Sequence, residues 1–222
     1  MNLPDGLLSP SMLWLFNGLL ALLLGHAAWR APWRLFLAVG GRQHLFLASC
    51  LLLVLLWGMR ADVGPGLSIH FLGMAAFSLM FGWPLALLGG AIVMAGYSFL
   101  GQAGWQALGV NTLMTAAVPA LVAHAALIAS RRFMAPNFFV YIFVPGFFGA
   151  ALGVLASVLL GAGLLVFSGV YDAAHLWHDY LPYLPLIMLP EAVLNGMVIT
   201  ALVAIKPDWV ATFDDEVYIR NR

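Results

Sequence analysis

The sequence predicts an all-α fold: a polytopic helical membrane protein with about seven transmembrane helices. Three observations carry the prediction. Apolar residues make up 64% of the 222 residues and charged residues only 8%, where a soluble domain carries about 25% charged residues. Mean hydropathy is +0.99. The apolar runs are continuous and rich in Leu and Ala, not alternating, which excludes a membrane β-barrel. A net charge of zero gives no reason to expect nucleic acid as a partner, and lipid is the expected surroundings. The single cysteine, Cys50, excludes an internal disulfide and a cysteine-based zinc cage.

The elements follow in order. The chain opens Met1-Asn2-Leu3-Pro4-Asp5-Gly6-Leu7-Leu8-Ser9-Pro10. It lacks the basic n-region of a signal peptide, so this is expected to be the mature end. Pro4-Asp5-Gly6 is turn chemistry, and Ser9-Pro10 reads as N-cap and first position of a helix. The segment either caps that helix or folds back to line a binding site. The first span covers residues 11–28 and ends in Trp29-Arg30-Ala31-Pro32-Trp33-Arg34, an interfacial anchor. The second covers 43–58, with 35–39 along the membrane surface before it. Residues 60–66 read as a turn. The third helix is expected over 68–81, broken by Gly82-Trp83-Pro84, and the fourth over 85–100. After a polar loop the fifth runs over 108–130, with a kink expected at Pro119. The sixth runs over 138–167, with a re-entrant or broken start at Pro145-Gly146. A polar loop, 171–180, precedes the seventh, 184–205.

An odd number of crossings puts the termini on opposite sides. Arg30, Arg34, Arg42, Arg131, Arg132, Lys206, Arg220 and Arg222 then share one side, and Arg60 lies on the other. The positive-inside rule places the amino terminus outside and the carboxyl terminus in the cytoplasm. The organisation is one transmembrane domain, 1–205, with an inserted amino-terminal segment, and a short cytoplasmic tail, 206–222. The expected location is a bacterial cytoplasmic (inner) membrane.

This topology sorts the polar side chains. His70, His175 and His178 fall at the outer face with Asp5, Asp62, Asp172, Asp179 and Glu191. Imidazole and carboxylate are ligands for divalent first-row metals. His175 and His178 lie three apart, on one side of a helical turn. They are either ligands or interfacial aromatics beside Tyr171, Trp177 and Tyr180. His70 follows a Gly-Pro-Gly turn and is either a ligand or a histidine bonded to backbone. Glu191 sits inside an apolar helix, so it should face the bundle interior and be paired, for structure or for transport. Asn111 and Asn195 are set in apolar helices, where interhelical hydrogen bonding is the default role. The absence of GxxxxGK[ST] means the chain cannot supply ATP hydrolysis by a P-loop. HExxH and dinucleotide fingerprints are absent too. No enzyme activity and no organic cofactor are expected.

Four segments carry a family resemblance: the opening ten residues, Ser68-Ile69-His70-Phe71-Leu72-Gly73, Ala107-Leu108-Gly109-Val110-Asn111, and the stretch from Leu189-Pro190-Glu191-Ala192 to Gly196. Together they resemble the cobalt/nickel-uptake permease subunits of energy-coupling-factor ABC transporters, of the CbiM/NikM type. The resemblance implies a seven-helix substrate-binding subunit whose chain start tucks in from outside. It implies metal ligation by Met1, residue 2 and His70, with Ni or Co as substrate. It also implies a transmembrane coupling subunit and separate ATPase subunits. The coupling subunit is expected to meet the first helix at small residues such as Gly18, Ala21 and Gly25. The chain departs from the pattern at position 2, where Asn2 stands in place of the family's His. His175 or His178 is then a candidate substitute ligand, with Cu or Zn as alternative substrates. The alternative function is a non-transporting accessory or assembly subunit of another membrane complex. The set to be located is therefore Met1, Asn2, His70, His175 and His178, supported by Asp5, Asn111, Glu191 and Asn195.

Overall fold

The computed structural model describes residues 2–38 and 40–220, the side chains of Ile219 and Arg220 excepted. The elements are α1 (Pro10–Arg30), α2 (Trp33–Ala38), α3 (Arg42–Gly58), β1 (Arg60–Gly64), β2 (Leu67–His70), α4 (Met74–Phe81) and α5 (Trp83–Phe99). Then come α6 (Leu108–Phe133), α7 (Phe138–Phe167), α8 (Ala173–Asp179) and α9 (Leu184–Ile205). Four stretches are long and apolar enough to cross a membrane: Pro10–Arg30, Leu108–Phe133, Phe138–Phe167 and Ala173–Ile205. Shorter apolar helices, Arg42–Gly58 and Trp83–Phe99, stand beside them.

Pro10 does start α1, and Ser9 is its N-cap with extended backbone, although its side chain makes no capping bond. α1 lies on the outside of the bundle, with Leu20 and Ala27 buried and Trp14, Leu22 and Trp29 exposed. α6 and α7 pack against each other along small residues, Gly149 and Gly153 lying on Ala123 and Pro119. Each of these two helices holds a π-helical segment: Leu113–Ala117, directly before Pro119, and Ile142–Phe148, which contains Pro145. The re-entrant or broken start expected at Pro145-Gly146 is neither, but a π-turn inside a continuous helix. A Pro lacks the N–H that an α-helical turn needs there.

Three further expectations need correction. Residues 60–66 are not a bare turn: β1 and β2 form an antiparallel hairpin in which Arg60 pairs with His70. The third helix does not start at Ser68, because Leu67–His70 is strand and the helix begins at Met74. Gly73 adopts a left-handed conformation there (φ 67°) that stops helix from extending backwards. The loop over 171–180 contains a helix, α8, seated by the buried side chains of Leu176 and Tyr180.

α4 has 8 residues, about 12 Å of helix against a hydrocarbon core of about 30 Å. A helix that starts and stops inside an apolar bundle leaves unpaired backbone groups at both ends. Distant segments pair them. At its start the Glu191 carboxylate accepts from Leu72 N (2.8 Å) and Gly73 N (2.7 Å), and Asn195 Oδ1 accepts from Ala76 N (2.8 Å). At its end Ala211 N donates to Met80 O (2.9 Å), and Thr212 Oγ1 donates to Leu79 O (2.8 Å). The segment after α9 therefore packs into the bundle, with Val210 and Tyr218 buried and Phe213 stacked on Tyr218. Arg131 holds it by donating to Thr212 O and Tyr218 OH.

Candidate metal centre

The site is built around the amino-terminal segment. Leu3 is buried, and Asn111 holds it by both backbone groups: Leu3 N donates to Asn111 Oδ1 (2.8 Å) and Asn111 Nδ2 donates to Leu3 O (2.9 Å). The Asp5 carboxylate accepts from the backbone N–H groups of Trp105, Gln106 and Ala107, at 3.1, 2.8 and 3.3 Å. These N–H groups lead into the start of α6, so Asp5 caps that helix from a position about a hundred residues away in the chain. Asn17 of α1 adds a second clamp, accepting from Gly109 N (2.7 Å) and donating to Gln106 O (2.9 Å). The approach is close enough that a Cβ on Gly104 would lie 2.2 Å from Asp5 Oδ1 and 2.6 Å from Asp5 N. The segment thus folds back into the protein.

The fold-back places Asn2 at 7% exposure. Neither polar atom of its carboxamide has a hydrogen-bond partner among the described residues. Asn2 lines a cleft of about 490 Å³ with Asp5, Arg60, Asp62 and the 101–104 loop. Arg60 and Asp62 pair across 3.2 Å there.

His70 ends β2, 5% exposed. Its Nδ1 lies 3.0 Å from Phe71 O. A carbonyl only accepts, so this bond assigns the proton to Nδ1 and leaves Nε2 as a lone pair. Nε2 has no partner among the described residues. Burial, the largest cause, pushes the imidazole down to about 3 from an ordinary 6.5, so the ring is neutral at pH 7. A buried neutral imidazole, its ring fixed by an outer hydrogen bond and its second nitrogen free, is the arrangement of a metal-ligating histidine. Trp57 supports it from α3: the rings lie 6.1 Å apart, and Trp57 Nε1 donates to Leu72 O (2.9 Å).

The other expected residues fall elsewhere. Met1 lies outside the described residues. His175 and His178 are on the exposed face of α8, and neither lines the cavity at His70. His175 pairs with Asp179 (2.9 Å) and stacks on Tyr171 (5.2 Å, 3° between planes). Tyr171 in turn donates to Pro65 O (3.0 Å), tying this loop to the hairpin. Asp5 and Asn111 position the amino-terminal segment, and Glu191 and Asn195 position α4. Among the described residues no three His, Cys, Asp or Glu side chains converge on one point.

Sequence reasoning missed Ser68 and Tyr180, which line the cavity at His70. It also missed the Asn17 clamp, although an amide inside an apolar run was a local signal for it. Tyr180 offered no such signal.

Fold and site define a multi-pass helical membrane protein with a clamped chain start and a buried imidazole whose Nε2 is unpaired among the described residues. Comparison with known proteins makes this specific. The family model described as CbiM, cobalt uptake substrate-specific transmembrane region, matches residues 2–209, and the chain belongs to that family. Two crystal structures share the fold. One, of a truncated transition metal transporter, has a TM-score of 0.75 at 17% identity and covers 92% of this chain and 99% of that one. The other, of a transition metal transporter, has a TM-score of 0.75 at 16% identity and covers 92% and 93%. A search of curated proteins finds no match. The protein is a membrane component of metal uptake.

Proposed function

We propose that this chain is the substrate-capturing membrane subunit of a transition-metal uptake system, taking a divalent first-row cation at its outer face. The carrying observation is the His70 imidazole: buried, neutral, fixed through Nδ1, with Nε2 unpaired. The shared fold and the clamped amino-terminal segment support the same reading. In it Met1 and Asn2 approach the cation from the chain start, and His70 supplies the nitrogen that is a side chain. Asn2 offers an amide oxygen where the family pattern has imidazole. That change moves the donor set from all-nitrogen towards mixed nitrogen and oxygen, away from a planar Ni(II) site and towards ions such as Co(II) or Zn(II). The orientation follows the positive-inside count, with the chain start outside and Lys206 and Arg131 at the cytoplasm of a bacterial inner membrane. Energy for uptake comes from a coupling subunit and ATPases, since this chain has no nucleotide motif.

Metal analysis of the purified protein tests this after exposure to Co(II), Ni(II), Cu(II) or Zn(II). The wild type should retain a stoichiometric amount of one of them, and His70→Ala should retain none. Equal and negligible metal in both would refute the proposal.

One observation favours a second reading. Asn2 removes the family's second imidazole, which fits an accessory subunit that keeps the fold and has lost the cation. Stable co-purification with a complex lacking any ATPase would support it, and tight metal binding by the isolated chain would exclude it.

A further inference from the structure

A cavity of about 20 Å³ lies beside His70. That holds one water or one ion and nothing larger. Three residues of its wall, Ser68, His70 and Tyr180, are 4%, 5% and 2% exposed. Each carries a polar atom with no hydrogen-bond partner among the described residues: Ser68 Oγ, His70 Nε2 and Tyr180 OH. Much of the remaining wall is apolar, including Val154, Val158 and Ile187. A buried polar group left unpaired costs about 1–3 kcal/mol. Three of them around one ion-sized space call for a guest that pairs with all three.

We propose that Tyr180 and Ser68 are further binding residues of this site, their hydroxyl oxygens completing the shell of the cation held on His70 Nε2. The inference rests on the metal reading of His70. It names what Asn2 leaves open, namely further donors for the cation beside the imidazole. The ligand class follows from donors and volume together. One imidazole and neutral oxygens, with no thiolate, suit a divalent first-row ion. Mg(II) and Ca(II) require six or more oxygens, which this wall does not offer. The space leaves no room for a water beside the ion, so the ion enters stripped of its own on this side.

The delivery of Tyr180 is built into the fold and does not depend on the cation. It follows α8, which is seated by buried Leu176 and tied to the hairpin through Tyr171 and Pro65. Tyr180→Phe removes one oxygen and leaves the ring packing in place. A hydroxyl serving only as packing would be better absent, so this change would then raise stability and leave metal binding alone.

The test is a Co(II) titration of the purified full-length protein, followed by the visible spectrum, which reports the donors around the ion. Wild type is compared with Tyr180→Phe, Ser68→Ala and His70→Ala. The expected result is stoichiometric binding by wild type and none by His70→Ala. Tyr180→Phe should bind about tenfold or more weakly with an altered spectrum, and Ser68→Ala should change in the same direction. Unchanged affinity and spectrum in both hydroxyl variants, with binding lost in His70→Ala, would overturn this inference alone. No binding by wild type would overturn the metal reading and this inference with it. The thermal midpoint of each metal-free variant shows that the fold is kept, and Ser68→Ala decides the matter if Tyr180→Phe fails to fold.

Discussion

At the scale of single residues, the sequence marks the candidates better than their contacts. His70 and Asn2 were legible because polar groups stand out in an apolar chain. Which atoms they meet was not, because those contacts close loops of a hundred residues or more. Asn111 and Leu3 are 108 apart, and Glu191 and Leu72 are 119 apart. Tyr180 was hidden among interfacial aromatics of the same composition. Two predictions belong here. Asp5 accepts three backbone N–H groups, so Asp5→Ala should cost about 1–2 kcal/mol, the range for a lost helix cap. It should also loosen the chain start and weaken metal retention, whereas Asp5→Asn should keep most of the stability. Thermal unfolding and metal content measure both, and an unchanged midpoint in Asp5→Ala would contradict the capping role. The second concerns pH. His70 is held down to about 3 against an ordinary 6.5. Between those values the unfolded chain takes up a proton that the folded chain refuses. Stability from this group is therefore full above about pH 6.5 and is lost as pH falls towards 3, by at most about 1.4 kcal/mol per unit. The thermal midpoint of metal-free protein should fall on acidification through that window. His70→Gln should show a smaller fall, and an equal fall would contradict the assignment.

At the scale of elements, long apolar runs bounded by Ser-Pro, Trp-Arg or Gly were readable, because length and end signals suffice for a helix that crosses a membrane. The failures share one cause. β1 and β2 are 5 and 4 residues long, too short for alternation to register, and they exist because they pair with each other. α8 is held by two buried side chains, and the π-turns answer local packing at Pro119 and Pro145. α4 is the clearest case. Its apolar sequence merges with its flanks, and its true start is set by α9, whose Glu191 and Asn195 pair its first N–H groups. A carboxylate inside an apolar helix leaves structural pairing and transport both open, and its observed contacts are those of a cap on another helix. Glu191→Ala should leave the Leu72 N–H, which is buried, and the Gly73 N–H, which is partly buried, without their acceptor, at about 1–3 kcal/mol for a buried group. It should be among the most destabilising single changes in the protein. Glu191→Gln keeps one acceptor oxygen and should retain part of that stability. Equal midpoints for wild type and Glu191→Ala would show that α4 needs no cap from α9.

At the scale of the whole molecule, the chain start and the hairpin are tied inward, and α1 is the least buried of the four candidate spans. Its inner side is fixed by Leu20, Ala27 and the Asn17 clamp. Its outer side carries Gly18, Ala21 and Gly25, all exposed. A Cβ built on Gly18 or Gly25 meets nothing within 4 Å, so neither glycine serves this chain's own packing. A small-residue face in a membrane helix admits a second helix closely, and we propose that a coupling subunit docks there. The expectation divides cleanly from the site. Gly25→Leu adds a side chain into open space, so the isolated protein should keep its thermal midpoint and its metal content. It should fill the approach of a partner helix, so co-purification with the coupling subunit, where both are expressed together, should fall. Loss of metal content with assembly intact would invert the assignment. It would mean that α1 acts through Asn17 and the chain start and not as the contact face.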